Sequence, residues 1–153
     1  PLRAVSAVGD PMQPFVAGVA LAASTRVPVI LGGGSQMLAV YSLAQSLLKS
    51  DMKALDRTQP HRISVITTKW VVDDKTANVG QLAHLLGAPF ACACPDFHLS
   101  KHKGLRSYED GNVKEGVAAG AAMAVAHIAG CVEPSDIVAA IDRTYDEMVK
   151  VRN

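Results

Sequence analysis

Three short aliphatic runs alternate along the chain with longer stretches in which apolar positions recur every three or four residues. The runs Val27–Leu31, Ile63–Thr68 and Pro89–Cys94 predict strands, since continuous apolarity marks parallel strands buried on both faces. Pro28 fits an early strand position, where its missing N–H matters least. A first helix is expected from Asp10, as cap with Pro11 in the first turn, to about Ser24. Its apolar positions Phe15, Val16, Val19 and Leu21, with Ala and Gly between them, predict burial on more than one side. A second helix runs Gln36–Lys49 behind a Ser35 cap, with Met37, Leu38, Val40, Tyr41, Leu43, Leu47 and Leu48 as its apolar positions.

A third helix is expected from about Thr76 to Leu86, ended by Gly87. A small-sided helix, Lys114–Ala129, ends at Gly130. The last, opened by Pro134 or Ser135, is amphipathic through Ile137, Val138, Ile141, Tyr145, Met148 and Val149. Arg3–Val8 is ambiguous and is closed by Gly9-Asp10-Pro11. Ser50–Arg62 reads as an exposed connection, and Lys69–Lys75 as a loop around Trp70. Pro95–Val113, with Asp96, His98, Lys101, His102, Lys103, Arg106, Tyr108, Glu109 and Asp110, is the longest aperiodic region, a length that usually signals function or disorder. Alternation of this kind predicts one α/β domain over residues 1–153: a three-layer Rossmann-like parallel sheet flanked by helices, with functional loops at the strands' carboxyl ends.

Composition narrows the functional classes. A formal net charge of +1 over 153 residues offers no electrostatic case for nucleic acid or an anionic membrane. No apolar segment reaches the roughly 18 residues that span a bilayer, and no secretory leader is recognisable, so a cytoplasmic protein is expected. Three cysteines without framework spacing fit a reducing compartment. A start at Pro1 rather than Met suggests a fragment or a processed product. A small-molecule ligand is therefore the expectation.

Four places could carry its chemistry. Gly32-Gly33-Gly34-Ser35 follows a strand and opens a helix, where bare N–H groups can hold a phosphate. It lacks both the P-loop lysine and the dinucleotide-fold spacing, so a ligand-free tight turn is the competing reading. Glu115, with Gly116 and Gly120 behind it, stands where a late helix opens. A carboxylate in an apolar pocket there would have a raised pKa and could serve as a general base, while a first-turn acid favoured by the helix dipole is the plain alternative. Cys92, Cys94, His98 and His102 form a conceivable metal set, but Cys-x-Cys is unusual spacing and Lys101 and Lys103 oppose a cation. No metal is expected. Thr67, Thr68, Lys69, Trp70, Asp73 and Asp74, after the second strand, could hold ribose or a heterocycle, or Trp70 could simply plug the sheet edge.

Val8-Gly9-Asp10-Pro11-Met12-Gln13-Pro14, Pro28 through Met37, His102-Lys103-Gly104-Leu105-Arg106, and Tyr108-Glu109 running into Lys114-Glu115-Gly116 together resemble one family. It is the archaeal and cyanobacterial branch of the nicotinate mononucleotide:dimethylbenzimidazole phosphoribosyltransferases. The resemblance covers nearly the whole chain in order, and matches the C-terminal half of a longer protein. It implies transfer of phosphoribosyl from nicotinate mononucleotide to a benzimidazole-type base, without a cofactor, in a homodimer. By the resemblance Glu115 is the catalytic base, and substrate is bound by Gly9 and Asp10, by Gly32, Gly33, Gly34 and Ser35, by Thr67 and Thr68, and by Gly116 and Gly120. Ala118 departs from the bacterial pattern's second glycine, and Thr67-Thr68-Lys69-Trp70 replaces a bacterial His-Arg-Ser stretch. A non-catalytic nucleotide-binding or regulatory module, and an assembly domain using the Gly116/Gly120 helix, are the alternative readings.

Overall fold

The structure is a computed structural model that describes Arg3 and residues 9–50, 62–111 and 118–151. The expected connection at 51–61 and the segment 112–117 lie outside the described residues, as do residues 4–8.

Strands β1 (Val29–Gly32), β2 (Ile63–Thr68) and β3 (Phe90–Ala93) form a parallel sheet in the order β1-β2-β3. Val29 lies beside Ile63 and Gly32 beside Ile66, while Val65 lies beside Phe90 and Thr68 beside Ala93. β2 is central, and every residue in it except Ser64 is β-branched, the side-chain type that suits a pleated surface packed on both sides.

Seven helices are described: α1 (Met12–Ser24), α2 (Ser35–Ser50), α3 (Lys69–Val72), α4 (Val79–Leu86), α5 (Lys103–Glu109), α6 (Ala119–Gly130) and α7 (Pro134–Val151). Right-handed crossovers between neighbouring parallel strands place α2 and α4 on one sheet face. There Leu31, Ile63 and Val65 meet Leu38 and Tyr41 of α2, Val79 and Ala83 of α4, and Ala17 and Ala20 of α1 in one core. α6 crosses all three strands on the opposite face. The result is the expected three-layer, Rossmann-like α/β arrangement, and among the described residues no helix is long and apolar enough to cross a membrane.

The two helical layers are built differently. Large aliphatic side chains fill the α2/α4 side, whereas α6 approaches with Ala and Gly and lies very close to the sheet. A Cβ added at Gly120 would stand 1.8 Å from the Thr67 carbonyl oxygen, and one at Gly32 would stand 2.9 Å from Ala121 Cβ. The close approach that Gly120 permits is therefore taken up by the backbone of β2.

Several local expectations change. α1 buries Ala17, Ala20 and Ser24, a small-residue stripe that lets it lie against α2, and leaves Phe15 72% and Val19 52% exposed. The Ser24 hydroxyl donates to the Leu21 carbonyl at 2.8 Å, which satisfies it inside the core. α2 begins with Ser35 itself, because the Gly34 carbonyl accepts the first helical bonds from Met37 and Leu38. α4 begins at Val79 because Asp74 holds the N–H and hydroxyl of Thr76 in a turn that Asn78 closes in the left-handed region. Gly87 ends it at φ 60°, as expected, but Cys131 rather than Gly130 takes the left-handed position after α6. The stretch 95–113 is not one loop: it contains α5, anchored by buried Leu105, and α3 occupies much of the expected loop around Trp70.

Gly120→Ala is expected to lower the unfolding free energy by about 2–3 kcal/mol through overpacking against Thr67. Gly80→Ala, at a half-buried helical position with open space around the added Cβ, should leave stability unchanged or raise it by about 0.5–1 kcal/mol. Urea unfolding of both variants checks the contrast.

Candidate functional site

A cavity of about 400 Å³ opens at the carboxyl ends of β1 and β2. Gly32, Gly33, Gly34, Ser35, Gln36 and Met37 form one wall, with Val71, Asp74, Ala77, Val79 and Ala118 around the remainder. This is where open parallel sheets place ligands.

The three glycines have different roles. None of Gly32, Gly33 and Gly34 has a positive φ, so conformational freedom is not their function. Gly32 makes room for Ala121, and a Cβ at Gly33 would strike Met37 Cγ at 2.5 Å. Gly33 N–H donates to the Ile66 carbonyl at 3.0 Å, continuing the β1–β2 pairing. N–H groups in the first turn of α2, at Ser35 and Gln36, have no intrahelical acceptor. Among the described residues no Lys or Arg lines this cavity, and the nearest positive potential they offer an anion there is the backbone dipole at the start of α2.

Asp10 is brought to the same wall. One carboxylate oxygen accepts the Met12 N–H at 2.8 Å, which makes Asp10 the cap expected of it, and the other is 3.4 Å from the Gln36 side-chain amide. Two motifs 26 residues apart thus meet at the start of α2. Gly9 is exposed next to Asp10.

Thr67 and Thr68 end β2 and are completely enclosed, and their hydroxyls have no hydrogen-bond partner among the described residues. Neither residue lines the glycine-turn cavity. Gly120 lies against the Thr67 carbonyl, so the sheet and the start of α6 are joined at this point. Glu115 and Gly116 lie outside the described residues, and Ala118, three positions after Glu115, lines the cavity.

Residues 95–110 are organised by a carboxylate that the spacing of charged residues did not single out. Glu109, with its side chain 5% exposed, pairs with Lys69 Nζ at 2.8 Å. It also accepts the Phe97 N–H at 2.8 Å and the Trp70 indole N–H at 3.4 Å. Burial pushes its pKa up, but the Lys69, Phe97 and Trp70 donors outweigh that and hold it below the ordinary 4.5. Trp70 stacks on Phe97 with ring centroids 5.5 Å apart and contacts Tyr108 at 4.9 Å, so it clamps α3 to the 95–110 segment.

The four-ligand set Cys92, Cys94, His98 and His102 is not assembled. His98 pairs with Asp96 at 2.7 Å. His102 stands 2.9 Å from Asp146 and beside the Tyr145 ring. Asp96, His98 and Glu109 do bring three ligand atoms within 4.8 Å of one another. Glu109 already balances Lys69 and accepts two N–H donors, which leaves that cluster charge-compensated within the protein. Cys92 and Cys94 are exposed with their sulfurs 3.7 Å apart. Burial, then Cys94, then Asp73 push the Cys92 thiol up to about 11.

An open parallel sheet with a cavity at its carboxyl edge defines the class: a Rossmann-like α/β protein. Within that class the chain is similar to cyanobacterial UPF0284 proteins. It is 45% identical over 146 residues to that of Gloeobacter violaceus, covering 95% of this chain and 38% of that protein. To that of a Picosynechococcus species it is 44% identical over 145 residues, 94% of this chain and 39% of that protein. To that of Thermosynechococcus vestitus it is 41% identical over 150 residues, 98% of this chain and 40% of that protein. The chain spans about two fifths of the length of these curated relatives. Their source agrees with the cyanobacterial branch of the resemblance, and their name assigns no reaction. No family model matches the chain.

Because its folded pKa is depressed, Glu109 contributes stability that is fully present above the ordinary value of 4.5 and is lost as pH falls through the folded value. Glu109→Gln should cost about 1.5–3 kcal/mol at pH 7. The gap between the two proteins, followed by urea unfolding, should stay constant down to about pH 4.5 and narrow below it.

Proposed function

We propose that this chain supplies the nucleotide-binding wall and the general base of a phosphoribosyltransferase. The enzyme moves phosphoribosyl from nicotinate mononucleotide to a benzimidazole-type base, giving an α-ribazole phosphate and nicotinate for the lower ligand of a cobamide. The observation that carries this reading is the cavity at the β1–β2 carboxyl edge, where Gly32 to Gln36 stand opposite Ala118. Ala118 follows the Lys114-Glu115-Gly116 motif by two residues, and Gly120 holds the start of α6 against Thr67. Asp10, from the Gly9-Asp10-Pro11 motif, reaches the same wall through Gln36.

In this mechanism the phosphate lies against the first-turn N–H groups of α2. The polar edge near Asp10 and Gln36 suits ribose hydroxyls. Glu115 takes the N–H proton of the incoming base as the other ring nitrogen attacks the anomeric carbon. The bond to nicotinate breaks, and its electron pair neutralises the pyridinium nitrogen. Activation is already present in that leaving group, so placing two substrates and supplying one base meets most of the demand. Homodimer formation and a cytoplasmic location belong to the same proposal. A non-catalytic nucleotide-binding module is the second reading. In it the Gly32–Ser35 turn binds phosphate and Glu115 is a helix-start carboxylate without a catalytic role.

The full-length protein, incubated with nicotinate mononucleotide and dimethylbenzimidazole, should release nicotinate and form the α-ribazole phosphate, both followed by chromatography. Glu115→Gln should keep nucleotide affinity and lower turnover about 100- to 10,000-fold. Unchanged turnover would remove Glu115 from the mechanism, and binding without any nicotinate release would favour the second reading.

A further inference from the structure

Among the described residues β1 is hydrogen-bonded on one side only, to β2. Gly33 N–H donates to the Ile66 carbonyl, and backbone groups alternate sides along a strand. The N–H and C=O groups of Ile30 and Gly32 therefore point to the free side. Ile30 and Gly32 are half-buried and Leu31 is buried, although the strand is an edge. Its sequence, Val-Ile-Leu-Gly, has none of the charges that shield a permanent edge, and Pro28 lies ahead of the first paired residue, Val29.

The course of α1 says how the sheet continues. α1 starts at the carboxyl edge, where Asp10 meets Gln36 at the start of α2. It ends at the amino edge, where the Arg62 guanidinium donates to the Arg26 carbonyl just ahead of β1. It thus runs as α2 and α4 do, back from the carboxyl ends of the strands to the start of the next one. It also shares their face of the sheet: Ala17 and Ala20 join Leu31, Leu38 and Val65 in the core, and α1 lies against α2 as α2 lies against α4. Right-handed crossovers whose helices share one face all step in the same direction across a sheet. α2 carries the chain from β1 to β2, and α4 carries it from β2 to β3. By the same rule α1 brings it to β1 from a strand on the far side, at the free edge. Nothing equivalent stands beyond β3, because α4 is already the crossover into it.

We infer that β1 is an interior strand of the full-length protein, paired along its free edge with a parallel strand from the polypeptide that precedes α1. Arg3 is helical, so this strand lies ahead of it. The chain spans about two fifths of the length of its curated relatives, which leaves ample polypeptide for the strand and its own helices. β1-α2-β2-α4-β3 is then one half of a doubly wound sheet, and the strand order reverses beside β1. Ligands of such sheets bind in the crevice at that reversal, and the glycine-turn cavity lies there, at Gly32 to Gln36. The carboxyl end of the added strand completes the rim next to Asp10 and Gln36. Phe15 and Val19, exposed on the side of α1 away from its buried stripe, are apolar surface available to the same added half. This inference rests on the fold and stands whether or not the reaction proposed above is found.

Amide hydrogen exchange of the full-length protein, resolved to single residues by fragmentation mass spectrometry, tests it. Ile30 and Gly32 should exchange as slowly, within about tenfold, as Gly33 and Val65, whose N–H groups are bonded to the Ile66 and Pro89 carbonyls. Their rates should not change when the protein is diluted about a hundredfold. Exchange of Ile30 and Gly32 near the unstructured rate, while Gly33 and Val65 stay protected, would overturn the inference. So would protection that fades on dilution, which would put a second copy of the chain on that edge.

Discussion

The close approach of Gly120 to the Thr67 carbonyl is the constraint on which the rest of the arrangement depends. With no side chain at Gly120, α6 lies against the carboxyl end of β2 at a distance that no other residue type allows. Gly32 and Ala121 repeat the same economy of size at the neighbouring strand. Together these contacts place the start of α6 against the sheet edge, so that Ala118 forms part of the glycine-turn cavity. The two helical layers thereby divide their tasks. The α2/α4 side holds the molecule together through aliphatic burial, and the α6 side sets the geometry of the edge where a ligand would bind.

A second tie holds the opposite flank. Lys69 and Trp70 follow β2 directly, and Glu109 gathers both of them together with the Phe97 backbone. Ionised Glu109 is stabilised inside the protein because three donors replace its hydration, which is the condition under which a carboxylate can be enclosed at little cost. The Trp70–Phe97–Tyr108 ring cluster adds apolar contact around this centre. A segment rich in charge thus becomes ordered structure. α7 is joined to it by Ser100–Asp142, Lys101–Asp146 and His102–Asp146.

Much of this was legible from residue order alone. The three strands follow from short, continuously apolar runs, the pattern that packed parallel strands carry. α2 and α4 follow from three- and four-residue apolar spacing, and Gly87 marks a helix end through the conformation that glycine alone adopts easily. α5 was not legible: only Leu105 and Tyr108 are apolar in a seven-residue helix, too few for a period to show. The exposure of Phe15 and Val19 was also hidden, since spacing identifies an apolar stripe but not which stripe a neighbour covers.

The sequence by itself determined the alternation of elements, the parallel sheet and the glycine turn at its carboxyl edge, because local apolar patterning and backbone chemistry act within a few residues. Tertiary structure alone decided what each glycine is for. Gly32 and Gly33 are small because Ala121 and Met37 lie beside them, and Gly120 because a strand carbonyl does. It also decided that Asp10 meets Gln36 and that Glu109 neutralises Lys69. Each of these depends on how separate elements are oriented in space, and linear spacing carries no record of that.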